Sequence, residues 1–311
     1  RTDWTQPALY AVECGLAALW RSWGIEPAAV IGHSAGELAA ASIAGVFTLE
    51  DGLRLAAERG SLLSRLPEGG AMAALFMSED DARRAIAPYA DAVSIAAVNA
   101  RDSVVISGSA RGIDATLSDL ERAGVRGHRL HISFAAHSPM VDGALDDMER
   151  AAAGIAAHAP EIPVAWNLTG GRALPAGAPD AGYWRRHLRE PVRFAEGMAQ
   201  LRGEGHRTFL ELGPHPVLAA LAARDTDTLA PAERPAYLGS LRRDHDDWAE
   251  MSRALAGLYV QGMPVDWAAT FEGQRPRPVA LPTYPFEHKR FWIEPAETTR
   301  PAGPALGADG G

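Results

Sequence analysis

The sequence predicts an α/β fold in which a core with a parallel sheet is interrupted by a compact βαββαβ module. A short apolar run, residues 28–31, enters Gly32-His33-Ser34-Ala35-Gly36-Glu37, and a small-residue segment, 38–44, leaves it, which reads as strand, tight turn and helix. Residues 71–132 then give strand and helix signals in the order β-α-β-β-α-β, the split βαβ arrangement of a ferredoxin-like module. Strand and helix signals of the larger unit resume after it, so the module is an insertion.

At 311 residues, 47% of them hydrophobic, the chain can bury one large domain or two smaller ones. A net charge of -9 with only short basic clusters argues against nucleic acid and membrane surfaces as partners. Cys14 is the only cysteine. It rules out a disulfide framework and a cysteine metal site and suits a reducing, cytoplasmic setting. The residues given open without a signal-peptide pattern, so none is expected, and they hold no apolar run long enough to span a bilayer. The opening Arg1-Thr2-Asp3-Trp4 lacks an initiator methionine, and a piece of a longer protein is expected.

Taken in order, residues 7–23 carry Leu9, Val12, Leu16, Leu19 and Trp20 at helical spacing, with Gln6-Pro7 as the start signal. Gly24-Ile25-Glu26-Pro27 breaks that helix before the strand and turn. A helix over 49–66 has an apolar stripe of Leu49, Leu53, Ala56 and Leu63, with Arg59 at its border and Arg54 pointing away. An arginine there snorkels or pairs by default. Within the module, strands are expected at 71–77, 93–98, 104–108 and 125–132, and helices at 79–90 and 111–123. A helix over 140–157, a strand over 164–168, a loop bracketed by Tyr183-Trp184 and Pro191-Val192-Arg193-Phe194, a helix reaching Arg202 and a strand over 208–212 follow. Trp248, Met251, Leu255 and Leu258 mark one more amphipathic helix, ended by Gly262-Met263-Pro264. The proline-rich stretch 275–285 reads as extended, and 298–311 as disordered.

The Gly32–Glu37 turn has the form of the nucleophile elbow of an α/β-hydrolase-like core. Small residues two before and two after Ser34 let strand and helix backbones approach, and the Ala35 amide at the helix start can receive an oxyanion. Glycine is 31 of 311 residues, so the motif alone leaves an incidental serine in a turn at even odds. A serine nucleophile needs a histidine base brought near in space. His33 adjoins Ser34 but should point away and pack. His215, between two prolines, is a fair candidate. His137 lies where the module returns to the core; a lone loop histidine is usually a surface residue.

Gln6-Pro7-Ala8, the Gly32–Glu37 elbow, Arg59-Gly60, Asn99, residues 134–139, Tyr183-Trp184, Pro191-Val192-Arg193-Phe194 and Glu211-Leu212-Gly213-Pro214-His215 together resemble one family closely. The chain looks like the acyltransferase domain of a modular or iterative type I polyketide synthase, related to malonyl-CoA:acyl-carrier-protein transacylases. The resemblance covers nearly the whole chain. It implies an acyltransferase core at 1–69 and 134–243, the ferredoxin-like subdomain at 70–133, and a linker at 244–297 that wraps toward a neighbouring ketosynthase. Leu281-Pro282-Thr283-Tyr284-Pro285-Phe286 and Arg290-Phe291-Trp292 carry the linker likeness.

By that resemblance Ser34 takes an acyl group from coenzyme A, and His137 deprotonates it and later activates the phosphopantetheine thiol of an acyl carrier protein. No cofactor or metal is bound. No acidic third member is expected: a backbone carbonyl holds the histidine, and the matching position is His187, where most relatives carry Asn or Gln. Arg59 clamps the substrate carboxylate, a task suited to a planar bidentate donor, and Gln6 lines the same pocket. Such a clamp selects malonyl-type groups over acetyl, and a covered pocket keeps water from the ester. A bulky aromatic just before the histidine accompanies malonyl selection in this family; a Tyr three before it with a small residue just before it accompanies methylmalonyl. Here Phe134 and Ala136 hold those positions, so a methylmalonyl or larger extender is expected, although Ala35 matches neither common pattern.

The family normally begins earlier, with a strand and a Gly-Gln-Gly loop that gives a second oxyanion amide, and this sequence starts after it. A missing donor costs about 10²–10³ in rate. Two readings compete. A serine hydrolase or thioesterase could share the elbow, but the insertion, Arg59 and the trailing linker argue against it. A non-catalytic docking scaffold is opposed by the intact Ser34, Arg59 and His137.

Overall fold

The computed structural model describes residues 1–132, 134–273, 275, 277 and 279–289. Helix α1 (Thr2–Ser22) starts one turn before the proline signal predicts and runs through Pro7. The amides of Trp4 and Thr5 both donate to the Arg1 carbonyl, at 3.2 and 3.0 Å, so the first turn closes ahead of the proline. Gln6 is thereby held inside the helix and buried. Strand β1 (Val30–Ile31) leads through the elbow into α2 (Gly36–Ile43).

Helix α3 (Leu49–Ser64) is capped by Thr48, whose Oγ1 accepts from the Asp51 amide at 3.1 Å. Its buried face is Gly52, Leu55, Ala56, Arg59, Gly60, Leu62 and Leu63, while Leu49 and Leu53 of the expected stripe are exposed. Two glycines set that rotation by close approach. A Cβ on Gly52 would fall 2.2 Å from Tyr10 Oη, and one on Gly60 would fall 2.7 Å from the Thr2 carbonyl oxygen. Arg59 therefore lies within the buried face rather than at its border, and Arg54 is exposed beside Asp51.

The inserted module comprises β2 (Gly70–Leu75), α4 (Glu79–Ile86), β3 (Val93–Ala100), β4 (Ser103–Ser109), α5 (Ala110–Arg122) and β5 (Gly127–Arg129). Its antiparallel sheet has the order β3-β4-β2-β5, the ferredoxin-like topology, with Gly70 opposite Ser109 and Leu75 opposite Val104. One face packs Ala73, Leu75, Ile95, Val104 and Ile106 against Ile86, Ile113 and Leu120 of the two helices. The other presents Met72, Ala96 and Val105 to a cluster shared with Val192, Phe194 and Met198. Val192 seals the junction, accepting from the Val98 amide and donating to the Ala96 carbonyl, both at 2.9 Å.

Beyond the module, the helix expected over 140–157 is a 3₁₀ segment, Pro139–Ala144, followed by α6 (Leu145–Ala153), which Gly154 ends. Gly143, a poor helix former, lies within the 3₁₀ segment. Strand β6 (Val164–Ala165) is shorter than expected because Trp166 leads into a 3₁₀ turn closed by Gly170 at φ 62°. Tyr183 and Trp184 lie in α7 (Ala181–Arg189), capped by Asp180, not at the edge of a loop. Then come α8 (Phe194–Gly203), β7 (Thr208–Glu211), α9 (Val217–Arg224), β8 (Ala236–Gly239), α10 (Asp247–Val260) and α11 (Trp267–Thr270).

Among the described residues the parallel component is two pairs, β1 with β6 and β7 with β8, rather than one continuous sheet. Helix α10 sets Met251, Leu255 and Leu258 on Leu16, Trp20 and Trp23 of the α1 end. Trp248 is half exposed and stacks on Trp23 at 6.1 Å. Residues 1–272 form one contact unit, and 273–311 a second. In the second, the described residues 279–289 carry no helix or strand and are exposed. Arg290-Phe291-Trp292 and the tail 298–311 lie outside the described residues. No described helix is long and apolar enough to cross a membrane.

Candidate active site

The elbow is built by steric exclusion at one glycine. A Cβ on Gly32 would stand 2.3 Å from both the amide nitrogen and Cα of Glu37, so no side chain fits where β1 meets α2. Gly36 is different: a Cβ there would meet only the Glu13 carboxylate, at 3.8 Å, so the second small residue of the motif is not demanded by contact. Ser34 adopts φ 51°, a left-handed conformation that a non-glycine residue keeps only when its surroundings hold it. Asn167 does the holding. Its Oδ1 accepts from the Ser34 amide at 3.0 Å, and its Nδ2 donates to the Gly32 carbonyl at 2.9 Å. Ala35 is the N-cap of α2, so its amide is not used by the helix and is free for an oxyanion.

His137 stands on the loop after the module, also left-handed at φ 61°. Its amide donates to the Leu188 carbonyl at 3.1 Å, and its Nδ1–H to the Glu190 carbonyl at 2.8 Å. A carbonyl only accepts, so Nε2 is the unprotonated nitrogen, and it accepts from Ser34 Oγ–H at 2.8 Å. Arg59 completes the cluster. It is 2% exposed, donates from Nη2 to Ser34 Oγ at 2.8 Å and from Nη1 to Gln6 Oε1 at 2.6 Å. Its Nε–H has no partner among the described residues.

The Acyl transferase domain family model matches residues 1–264. The chain belongs to the acyltransferase domains of polyketide synthases. It is 38% identical over 296 residues to erythronolide synthase EryA2 of Saccharopolyspora erythraea, covering 95% of this chain and 8% of that protein. It is 41% identical to polyketide synthase GfsA of Streptomyces halstedii, covering 99% of this chain and 4% of that protein. The acyltransferase domain from the second module of the salinomycin polyketide synthase superposes with TM-score 0.83 at 42% identity, over 92% of this chain and 66% of that one. The chain thus spans under a tenth of these two curated relatives and about two thirds of that solved domain.

In this acyltransferase domain, burial and the Arg59 charge push His137 down to about 3, so its imidazole is neutral. Burial lowers Arg59 to about 10, opposed by Glu37, and it stays cationic at neutral pH. Burial raises Glu37 to about 8 against the pull of Tyr183, the Asn167 amide and Arg59. A serine hydroxyl set between a neutral imidazole and a guanidinium is an activated nucleophile beside an anion site.

The carbonyl that orients His137 is that of Glu190, not of His187. Helix α7 stops at Arg189 and Glu190 turns extended, which aims its carbonyl at the imidazole, whereas His187 is still in the last helical turn. The His187 ring is 1% exposed beside Glu37 and Tyr183, and burial holds it well below the ordinary imidazole range. His33 turns away from the dyad, bonding Asn99 Oδ1 at 2.8 Å and packing on Phe194. His215 is exposed ahead of α9 and is not the partner of Ser34. Ala136 is buried and Phe134 half-buried in the same cluster as Leu62 and Tyr183. Asn167, Tyr183 and Glu190 went unassigned in the sequence. A backbone carbonyl carries no residue signature, and an asparagine at a strand end reads as turn chemistry.

Proposed function

We propose that this acyltransferase domain transfers a malonyl-type acyl group from coenzyme A, through an ester on Ser34, to the phosphopantetheine thiol of an acyl carrier protein. The observation that carries it is Ser34 Oγ lying 2.8 Å from both His137 Nε2 and Arg59 Nη2. Ser34 Oγ attacks the thioester carbonyl as His137 Nε2 takes its proton. The oxyanion forms toward the Ala35 amide. The carbon–sulfur bond breaks, His137 returns the proton to the coenzyme A sulfur, and the acyl ester remains. In the second half His137 takes the thiol proton of the carrier's phosphopantetheine, the thiolate attacks the ester, and Ser34 recovers its proton. Arg59 holds the free carboxylate throughout, with Gln6 steadying the guanidinium. The domain needs no cofactor for this, only the two thiol carriers. The linker likeness over residues 244–297 supports a neighbouring ketosynthase as a partner, and the coenzyme A thioester suits the cytoplasm.

The extender is proposed to bear a C2 substituent, because Ala136 leaves a methyl where a ring would narrow the pocket. The acyl transferase domain of SpnD, 32% identical to this chain, was solved in complex with 2-(pent-4-yn-1-yl)malonyl, a C2-substituted malonyl group. Intact-mass spectrometry after brief incubation with malonyl-, methylmalonyl-, ethylmalonyl- and acetyl-CoA tests both points, with Ser34→Ala as control. An adduct on Ser34 from carboxylated esters alone is expected, fastest with a substituted one. Malonyl-CoA reacting as fast as every substituted ester would overturn the extender assignment. Esterase turnover without a carried acyl group would favour a hydrolase.

A further inference from the structure

Glu37 is fully buried, and the chemistry proposed for Ser34 and His137 does not use it. An acid in the first turn of a helix ordinarily serves that helix's own amides. Glu37 does not. Its Oε2 accepts from the Asn167 amide at 2.6 Å and its Oε1 from the Tyr183 hydroxyl at 2.5 Å, two partners more than a hundred residues away in sequence. His187 Nε2 stands 3.4 Å from the same Oε1.

Each of those partners holds one half of the dyad. Asn167 fixes the Ser34 amide and the Gly32 carbonyl, and so the elbow. Tyr183 and His187 belong to α7, and the carbonyls of Leu188 and Glu190 at the end of α7 hold the main chain and ring of His137. Ser34 and His137 are 103 positions apart, and their side chains meet at the 2.8 Å contact. The Glu37 carboxyl group is the place where their two supports are joined.

We propose that Glu37 is a positioning residue that fixes the Ser34–His137 distance by tying Asn167 on the serine side to Tyr183 on the histidine side. This rests on the acyl-transfer reading above. A dyad loosened by under an ångström forms its proton-transfer geometry less often, and such misplacement costs up to about 100-fold in rate. Substrate capture by Arg59 needs no such register.

The test is single-turnover acylation of the 311-residue chain by a carboxylated acyl-CoA, read by intact mass, with thermal melting alongside. Tyr183→Phe removes the tie to α7 and leaves the Glu37 carboxyl group in place, and Glu37→Gln leaves one acceptor where there were two. Both should slow acylation about 10- to 100-fold at saturating substrate, with half-saturation unchanged in Tyr183→Phe. In a His137→Ala background Tyr183→Phe should cause no further loss, because no base remains to be positioned. Lowered melting with an unchanged acylation rate would overturn the proposal. So would an equal fold-loss in the His137→Ala background, the mark of general loosening. If the wild-type chain forms no Ser34 ester, acyl transfer itself fails, and that is read before any variant.

Discussion

Arg59 donates to the hydroxyl of Ser34 from Nη2 while its own Nε–H has no partner among the described residues. The bond orients the serine so that its proton points to His137, and the buried, unpartnered Nε–H is a donor that the proposed substrate carboxylate would satisfy. Arg59→Lys keeps the charge and loses the fork. A buried charge pair left half made costs about 2–5 kcal/mol. The expected result is a fall in kcat/KM for carboxylated esters of more than about 30-fold, with a smaller fall for acetyl-CoA, which loses only the bond that orients Ser34. Equal losses for both classes would make Arg59 a structural residue only.

The pH dependence of kcat/KM reports the free enzyme. With His137 held near 3 by burial and Arg59, the base is already neutral through the ordinary working range. Acylation should stay flat from pH 8 to pH 5, once protonation of the substrate carboxyl is corrected for. An acid limb centred near 6.5 would mean that the ring is solvated.

His187 bears on stability instead. Its pKa lies well below 6.5 in the folded chain and returns to about 6.5 on unfolding. Below pH 6.5 the unfolded state therefore binds the extra proton, and this contribution to stability is lost as pH falls. The slope is about 1.4 kcal/mol per pH unit. Replacing the ring by an amide that does not titrate, His187→Asn, should flatten the acid side. Denaturant titrations at pH 6.5 and 5 should show the variant losing about 2 kcal/mol less than wild type. Parallel losses would rule the ring out as the titrating group.

The two glycines of the elbow should part company. Gly32→Ala drives a Cβ to 2.3 Å from the backbone of Glu37, and no soluble folded protein is expected. Gly36→Ala meets nothing nearer than 3.8 Å and replaces glycine in a helix, so melting should be unchanged or raised by up to about 1 kcal/mol of stability. Acylation of Ser34 should survive it within a few-fold. Collapse of Gly36→Ala would show a contact that the geometry does not.

Much of the site was legible in the sequence because it was written locally. The elbow is marked by a short strand-turn-helix run and the module by its element order over residues 71–132, while the family resemblance of residues 134–139 singles out His137. Arg59 was legible as a residue but not in its rotation, since the face of α3 is chosen by Gly52 and Gly60 pressing on another helix. The orienting carbonyl was placed at His187, and it belongs to Glu190 because a helix ends one residue before it. Asn167 and Tyr183 act across more than 130 positions, through single hydrogen bonds that leave no periodic trace. Local pattern finds the reacting atoms; what aims them is tertiary.

The left-handed backbones of Ser34 and His137 bear on how such a domain decays. Each strained residue costs about 1–3 kcal/mol, and glycine at either position would release it. Both releases abolish the dyad. A copy freed from selection would thus gain stability at the very positions where it loses function, so inactivation runs downhill and restoration uphill. Glycine at either position in a duplicated module would be the fossil of that descent, a mark of retirement readable without an assay.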